Sequence, residues 1–378
     1  MDPTIRLLAD LVATDSVNPS LVAGSAGESV IAAVIADALR SAGLDAEVTE
    51  ATPGRPNVIG ILQGRGPGPA LMFCGHMDTV GTAGMHNPFN PAIREGRLYG
   101  RGAEDMKGGV ASMLGAARVL AEKGGLSRGK LIIAAVADEE YASIGAEALV
   151  RQWHADAAVV PEPTGLRIAT GHRGFSWIEI VAEGVAAHGS RPREGRDAIV
   201  RMGRILVRLE ELDRRLQART PHPVIGTPSL HASLISGGRE LSTYPDRCML
   251  QLERRSIIGE DGQTALREIE EILQALRQEE EAFHASARLF FDRLPYETPQ
   301  GHPLISELET ALAKAGRDPI RGGTTFWTDA AVLGHAGIPS VIFGPGGAGL
   351  HSAEEYVEID QVIICRDVLA ELARTFCS

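Results

Sequence analysis

The stretch LIIAAVADEE, residues 131–140, decides the fold class, because a short and continuously apolar run ends there in three acidic residues. Similar apolar runs occur in the same part of the chain, at 57–62, 70–74 and 157–160. A helical pattern at 106–123 precedes the quoted stretch. Short apolar runs that alternate with helices are typical of buried parallel strands. The pattern therefore predicts an α/β fold, with a mostly parallel sheet that carries helices on both faces.

The pattern changes after residue 173. Two alternating strands and two long amphipathic helices are predicted beyond it, at 175–182, 248–255, 197–217 and 262–280. From about residue 293 the helix and strand alternation resumes, and it includes the apolar strand SVIFG at 340–344. We therefore predict that residues 174–292 form an inserted α+β domain, and that residues 1–173 and 293–378 together form the main domain.

The composition argues against several classes of protein. The 378 residues include 37 Lys and Arg against 49 Asp and Glu, and the resulting net charge of −12 argues against a nucleic-acid-binding protein. No apolar run approaches the roughly 20 residues of a membrane-spanning helix. Asp2, Arg6 and Asp10 interrupt the apolar stretch that a secretory signal needs, and the four cysteines are widely dispersed. We therefore expect a cytoplasmic protein without nucleic-acid or membrane partners.

Ionisable side chains follow the predicted strands of the main domain, and one more lies in a glycine-rich turn. The set consists of His76, Asp78, Asp105, Asp138, Glu139, Glu140, Glu162 and His351. Because the carboxyl ends of parallel strands meet in one crevice, these side chains are expected to converge there. Carboxylates so close together need a cation to neutralise them, and imidazole with carboxylate suits zinc better than cobalt or manganese. The sequence therefore predicts a metal site.

Seven motifs, in this order along nearly the whole chain, point to one family. They are GHMDTV (75–80), GRGAEDMKGG (100–109), DEE (138–140), PEPT (161–164), GVAAHGSRPREGRDAI (184–199), TDA (328–330) and HSAEEYV (351–357). Together they resemble the dinuclear zinc amidohydrolases and metallopeptidases, a family that includes acetylornithine deacetylase, succinyl-diaminopimelate desuccinylase, aminoacylase and glutamate carboxypeptidase. The resemblance implies two divalent metal ions per chain, with zinc favoured and cobalt or manganese as alternatives.

The resemblance also implies a role for each matching residue of the metal site. One metal ion would be bound by His76 and Glu162, and the second by Glu140 and His351. Asp105 would bridge the two ions. The main domain is therefore expected to be the catalytic domain.

Two further acidic residues receive catalytic roles from the resemblance. Asp78 would orient His76 as a carboxylate behind the ligand. Glu139 falls where the family has its general base, which takes a proton from a metal-activated water and passes it to the leaving nitrogen. Neighbouring residues at a strand end point in different directions, so Glu140 can bind metal while Glu139 faces the water.

The inserted domain is expected to act as a lid and a dimerisation domain. His188 matches a family histidine that reaches the active site, often from the partner subunit of a homodimer, and helps to stabilise the oxyanion. Arg255 matches an arginine that holds the substrate carboxylate, and a register error of one residue would transfer that role to Arg254. In the main domain, the TDA motif implies that Thr328 contacts the substrate.

Two departures from the family pattern leave the substrate open. The family usually shows Asn-Val-Ile-Pro where this chain has Ser-Thr-Tyr-Pro at 242–245, and Pro where it has Ile258. The first segment commonly contacts the substrate, so the missing amide at position 242 bears on substrate choice.

Four functions are compared on this basis. The leading hypothesis is hydrolysis of the amide of a small N-acyl amino acid, as in acetylornithine deacetylase. A carboxypeptidase or dipeptidase of the same family is the alternative, since its substrates also present an amide beside a free carboxylate. A catalytically dead dimeric binding protein should have lost ligands, whereas every matching position is kept. A serine hydrolase would need a GxSxG elbow, which the sequence lacks.

Overall fold

The structure is a computed structural model that describes residues 1–82 and 84–378. By its internal contacts the chain divides into two compact units. The first unit comprises Met1–Gly171, Glu297–Gly323 and Thr328–Ser378, and the second comprises His172–Tyr296 and Thr324–Trp327. The predicted roles of the inserted segment as a lid and a dimerisation domain stay predictions.

Helices occur in both units. In chain order they are α1 (Pro3–Ala13), α2 (Ser29–Ser41), α3 (Gly108–Glu122), α4 (Ile144–Gln152), α5 (Ala198–Gln217), α6 (Gly262–Glu279), α7 (Pro303–Lys314), α8 (Ala330–His335) and α9 (Ile359–Phe376). Local sequence explains where several begin: Asp2, Asp197 and Asp261 cap α1, α5 and α6 by accepting backbone N–H bonds. In the described part of the chain, no helix is both long and apolar enough to cross a membrane.

Strands also occur in both units. They are β1 (Asp45–Thr52), β2 (Arg55–Gln63), β3 (Ala70–His76), β4 (Ala92–Arg94), β5 (Arg97–Tyr99), β6 (Lys130–Val136), β7 (Ala157–Val160), β8 (Ile168–His172), β9 (Gly174–Glu183), β10 (Ser229–Gly237), β11 (Arg247–Ser256), β12 (Ala285–Arg293), β13 (Tyr296–Glu297), β14 (Arg321–Thr324), β15 (Ser340–Ile342), β16 (Gly347–Ala348) and β17 (Tyr356–Glu358).

The large sheet of the first unit has the order β1-β2-β6-β3-β7-β15-β8-β13, with β14 paired to β8. Its centre, β6-β3-β7-β15, is parallel. Helices α1, α3 and α9 pack together, and their core includes Leu71, Phe73, Leu131 and Ile133 of the sheet. Helices α4 and α8 contact each other and strands β2, β6 and β7. The α/β fold class predicted from the sequence is confirmed.

The same unit contains a small sheet with the strand order β16-β17-β5-β4. Two of its strands are adjacent in the chain to segments that carry predicted metal ligands. β5 ends just before the glycine-rich turn at 100–109, and β17 begins five residues after His351. The pairing of Leu98 with Val357 therefore brings the start of the glycine-rich turn close to the end of the segment that begins at His351.

The second unit is a four-stranded antiparallel sheet, β10-β11-β9-β12, with two helices on one face. Its core consists of Ile178, Ile180, Leu250 and Leu252 from the sheet with Ile205, Leu209, Ile269 and Leu273 from α5 and α6. This burial follows the amphipathic pattern of both helices. β10 lies at one edge of the sheet, and most of its residues are exposed.

Candidate active site

Three neighbouring parallel strands of the first unit end at one place. His76 is the last residue of β3 and pairs in register with Val136, the last residue of β6. Glu139 and Glu140 follow β6, and Glu162 follows β7. This is the edge at which an open α/β sheet binds its ligands.

One glycine allows α3 to approach this edge. A Cβ atom on Gly109 would lie 1.9 Å from the carbonyl oxygen of Pro161. The close contact holds the start of α3 against the segment that carries Glu162. Any side chain at position 109 would push these two elements apart.

The ionisable side chains form two clusters that share His76. In one, ligand atoms of His76, Asp105 and Glu140 all lie within 4.8 Å of one another, and in the other the same is true of His76, Glu139 and Glu162. His76 is almost fully buried at 1% exposure. Three or more such atoms at this spacing are a geometry that a metal ion can occupy.

His351 completes the set on the other side of Asp105. Its Nε2 atom lies 3.3 Å from Asp105 Oδ2 and 3.2 Å from Glu140 Oε2. The other oxygen of Asp105, Oδ1, lies 3.1 Å from Nε2 of His76. The structure therefore brings together the five predicted ligands, including Glu162, with the Asp105 carboxylate between the two imidazoles.

Asp78 lies next to His76, and its backbone carbonyl is closer to the imidazole than its carboxylate is. His76 Nδ1 is 2.9 Å from the backbone carbonyl oxygen of Asp78, and 3.6 Å from the carboxylate. Since a carbonyl can only accept, Nδ1 carries the proton and Nε2 is left to face Asp105. The carboxylate accepts instead from the backbone N–H groups of Glu139 and Glu140, at 3.1 and 3.2 Å. The Asp78 carboxylate therefore holds the backbone of Glu139 and Glu140 in place.

The carboxylates of the site are held in an environment that disfavours their charge. Desolvation, reinforced by neighbouring carboxylates, raises the pKa of Glu139 and that of Glu162 well above the ordinary range. Desolvation and the charge of Asp105 raise the pKa of Glu140 to about 7. Burial opposes protonation of His76, but the hydrogen bond to Asp105 and the surrounding carboxylates raise its pKa.

The donor atoms gathered at the site fit divalent metal ions. Glu140 Oε1 is buried and has no hydrogen-bond partner within the part of the chain that the structure describes. A buried oxygen of this kind is normally satisfied, so it marks a site for a further bonding partner. Two imidazoles and three carboxylates offer the nitrogen and oxygen donors that zinc accepts. Positive charge would also stabilise the ionised forms of the crowded acids.

Comparison with known proteins identifies the family. The model of "Peptidase family M20/M25/M40" matches residues 72–375. The chain belongs to this family. It is thus an M20 metallohydrolase, as the seven motifs predict.

Named relatives of this M20 chain differ in the group they remove. It is 31% identical to the N-formyl-4-amino-5-aminomethyl-2-methylpyrimidine deformylase of Bacillus subtilis, over 91% of this chain and 88% of the relative. It is also 31% identical to the acetylornithine deacetylase of Myxococcus xanthus, over 90% of each chain. A tripeptidase from Staphylococcus aureus has the same fold, with a TM-score of 0.84, 21% identity and coverage of 99% and 98% of the two chains.

The predicted substrate residues of the M20 chain lie in both units. His188 belongs to the second unit, where it is exposed and forms a bridge with Thr243. Its Nδ1 accepts a hydrogen bond from the backbone N–H of Ser190 at 3.2 Å. Thr328 belongs to the first unit, is fully buried, and accepts from the backbone N–H of Ala330 at 3.2 Å. Their predicted roles stay predictions.

Arg254 and Arg255 point to opposite faces of β11. Arg254 is buried at 1% exposure and makes ion pairs with Glu260 and Glu268, each at 3.0 Å. Arg255 is half-buried, 2.6 Å from a Glu253 oxygen, and its guanidinium lies 5.2 Å from the centre of the Phe175 ring. Of the two, Arg255 is the more accessible to a small ligand.

Sequence reasoning missed several residues that support the site. Asn18 donates from Nδ2 to Asp78 at 2.7 Å and to Asp138 at 3.0 Å. Glu355 contacts the turn that carries Asp105. Glu355 lies within a quoted motif, so its position was a usable signal, whereas nothing around Asn18 pointed to the site.

Proposed function

We propose that this protein is a deacylase that hydrolyses the amide bond of small N-acyl amino acids. One observation carries the proposal: the Asp105 carboxylate lies between two histidines, with Glu139 beside the same cluster. This arrangement supports hydrolysis by an activated water molecule.

The proposed cofactor is a pair of divalent metal ions, with zinc favoured and cobalt or manganese as alternatives. His76 and Glu162 would hold one ion, and Glu140 and His351 would hold the other. Asp105 would contribute to both. When bound, such ions supply a Lewis acid for the scissile carbonyl and lower the pKa of water.

Glu139 is the proposed general base. Its backbone N–H donates to Asp78 at 3.1 Å, and one of its carboxylate oxygens lies within 4.8 Å of ligand atoms of His76 and Glu162. A carboxylate at this position can accept a proton from the attacking water and return it to the leaving nitrogen. Asp78 and the peptide that it holds would keep the base in place during both transfers.

The relatives support removal of an acyl group rather than cleavage of a peptide. A deformylase and acetylornithine deacetylases match this chain at about 30% identity. The tripeptidase matches at 21%, which supports the fold only. Dipeptidase or carboxypeptidase activity remains the alternative within the same chemistry.

A second copy of the chain is the proposed partner. β10 is an edge strand with exposed apolar residues, of which Leu234 is 66% and Ile235 is 56% exposed. Such an edge is prone to pair with another strand, and two copies can pair antiparallel about a twofold axis. If His188 acts across subunits, mixed dimers of His188→Ala and Glu139→Gln chains should regain activity. A monomer in solution, or no activity after subunit exchange, would contradict this arrangement.

A substrate screen tests the proposed activity. The purified protein is assayed with N-formyl and N-acetyl amino acids, including N-acetylornithine, the N-formyl aminopyrimidine, and dipeptides. Each assay is run with added zinc, cobalt or manganese, and with a chelator. We expect cleavage of acylated amino acids that the chelator abolishes. Faster cleavage of dipeptides would favour the alternative, and full activity in chelator would contradict both.

A further inference from the structure

Two segments of the site are joined by a buried carboxylate. Glu355, which is 1% exposed, accepts through Oε1 from the backbone N–H groups of Glu104 at 2.9 Å and Asp105 at 3.1 Å. Through Oε2 it accepts from Gly102 N–H at 3.0 Å and from Arg101 Nη1 at 2.6 Å. We call this set of contacts the Glu355 clamp. It uses both oxygens of one side chain to hold the turn that carries Asp105.

Side chains of the turn also contact the backbone of the segment that carries His351. Glu104 accepts from the backbone N–H of Gly347 at 3.1 Å, and Arg101 donates to the carbonyl oxygen of Ser352 at 2.8 Å. Gly347 and Ser352 lie on either side of His351 in the chain. The two segments are therefore tied together on both sides of this histidine.

His351 needs such support more than His76 does. Its side chain is 55% exposed, and its backbone has a φ of 59°, a conformation that costs a non-glycine residue free energy. It belongs to a loop between short strands, whereas His76 ends a strand that is buried from its second residue onward. The position of His351 relative to Asp105 thus depends on contacts outside the large sheet.

We propose that Glu355, together with Arg101, is a positioning residue that sets the position of Asp105 relative to His351. By doing so it sets the affinity for the ion that Glu140 and His351 would hold. The inference rests on the proposed metal site. Residues that orient metal ligands from behind typically change metal affinity by about 10- to 100-fold when they are replaced.

A purely structural role is the competing explanation, and the chain offers a matched control for it. Glu260 in the second unit is also buried, and it accepts from the backbone N–H of Ile257 at 3.1 Å, from Arg254 at 3.0 Å and from Arg219. No predicted metal ligand belongs to that unit. Glu355→Gln and Glu260→Gln therefore remove the same charge from similar surroundings, one beside the metal site and one elsewhere.

The experiment is a cobalt titration of the metal-free full-length protein and both variants. Calorimetry gives the number of ions and their Kd values, and the visible absorption of bound Co²⁺ reports its ligand geometry. For Glu355→Gln we expect the weaker of the two Kd values to rise about 10- to 100-fold, with an altered cobalt spectrum. For Glu260→Gln we expect a lower Tm but unchanged Kd values and spectrum.

Each outcome decides the inference. Unchanged cobalt binding in Glu355→Gln, or an equal loss in Glu260→Gln, would overturn it. If the single variant fails to fold, the Arg101→Gln/Glu355→Gln double variant removes the unpaired buried charge, and the same rise in Kd is expected. Wild-type protein that binds no cobalt would instead overturn the proposed metal site, and the inference with it.

Discussion

The two ends of the site are built in different ways. At what we call the closed end, the side chains of His76 and Glu162 are 1% and 5% exposed, His76 ends β3 and Glu162 lies two residues after β7. At the open end, His351 is 55% exposed and lies on a loop. Asp105 lies between the two ends. The difference indicates that the closed end is fixed by the core, whereas the open end combines access for substrate with weaker support.

A side-chain network behind the closed end strengthens this contrast. Asp138, which has a φ of 70°, accepts from Asn18 at 3.0 Å and from Arg55 at 2.8 Å. Arg55 also pairs with the buried Glu28 at 2.6 Å. These contacts fix the residue that immediately precedes Glu139. Several side chains thus hold the acidic segment in place here, whereas at the open end the Glu355 clamp makes most of the supporting contacts.

The largest expected effect separates the two histidines. His76 would hold the ion at the closed end together with Glu162, so His76→Ala should lose that ion, keep the ion at the open end and reduce hydrolysis to the detection limit. His351 contacts Asp105 and Glu140 only, so His351→Ala should lose one ion and keep the other. Elemental analysis after dialysis measures both. Loss of both ions in either variant would show that the two ends are not distinct.

The next effect separates the neighbouring glutamates. Glu139→Gln preserves size but cannot accept a proton, so kcat should fall at least about 100-fold while both ions remain bound. Glu140→Gln is the control, and it should lower the metal content. If Glu139→Gln loses metal and Glu140→Gln does not, the roles of the two residues are reversed.

A third prediction extends the contrast between buried and accessible side chains to β11. Arg255→Ala should lower kcat/KM for a free N-acyl amino acid by about 10- to 100-fold, with little further loss for its methyl ester, because a charge-assisted hydrogen bond contributes about 1.5–3 kcal/mol. Arg254→Ala should instead destabilise the protein by about 3 kcal/mol, since it removes a buried ion pair with Glu260, which keeps Arg219 as a partner, and a second ion pair with the half-buried Glu268. Equal rates for acid and ester in the wild type would contradict recognition of the carboxylate.

The closed end could be predicted from the sequence more fully than the open end. The apolar runs at 57–62, 70–74 and 157–160 became β2, β3 and β7 with small changes at their ends, because continuous burial leaves a clear pattern. The residues at the carboxyl ends of the parallel strands β3 and β7 then meet by topology alone. This is why His76 and Glu162 could be expected in one crevice.

The support of the open end could not be predicted in the same way. β16 and β17 have two and three residues, too few for any period to be visible. The bonds from Glu355 to backbone N–H groups depend on a turn that lies 250 or more residues away in the chain. Backbone donors have no side-chain signature. Such contacts therefore become visible only in the structure.

The smallest expected effect tests whether the closed end really has shared support. In Asn18→Ala, Asp78 keeps the N–H groups of Glu139 and Glu140, and Asp138 keeps Arg55. The lost hydrogen bonds should therefore lower the free energy of unfolding by only about 1–3 kcal/mol.

Because the remaining contacts still hold the acidic pair, kcat should fall by no more than about tenfold and the metal content should stay at the wild-type value. Denaturant unfolding, steady-state kinetics and elemental analysis on the same preparation measure the three quantities. Asn18→Gln, which keeps the amide group on a longer side chain, is the control for loss of the donor. A metal loss in Asn18→Ala as large as that in His351→Ala would mean that the closed end depends on one hydrogen-bonding side chain, and its contrast with the open end would fail.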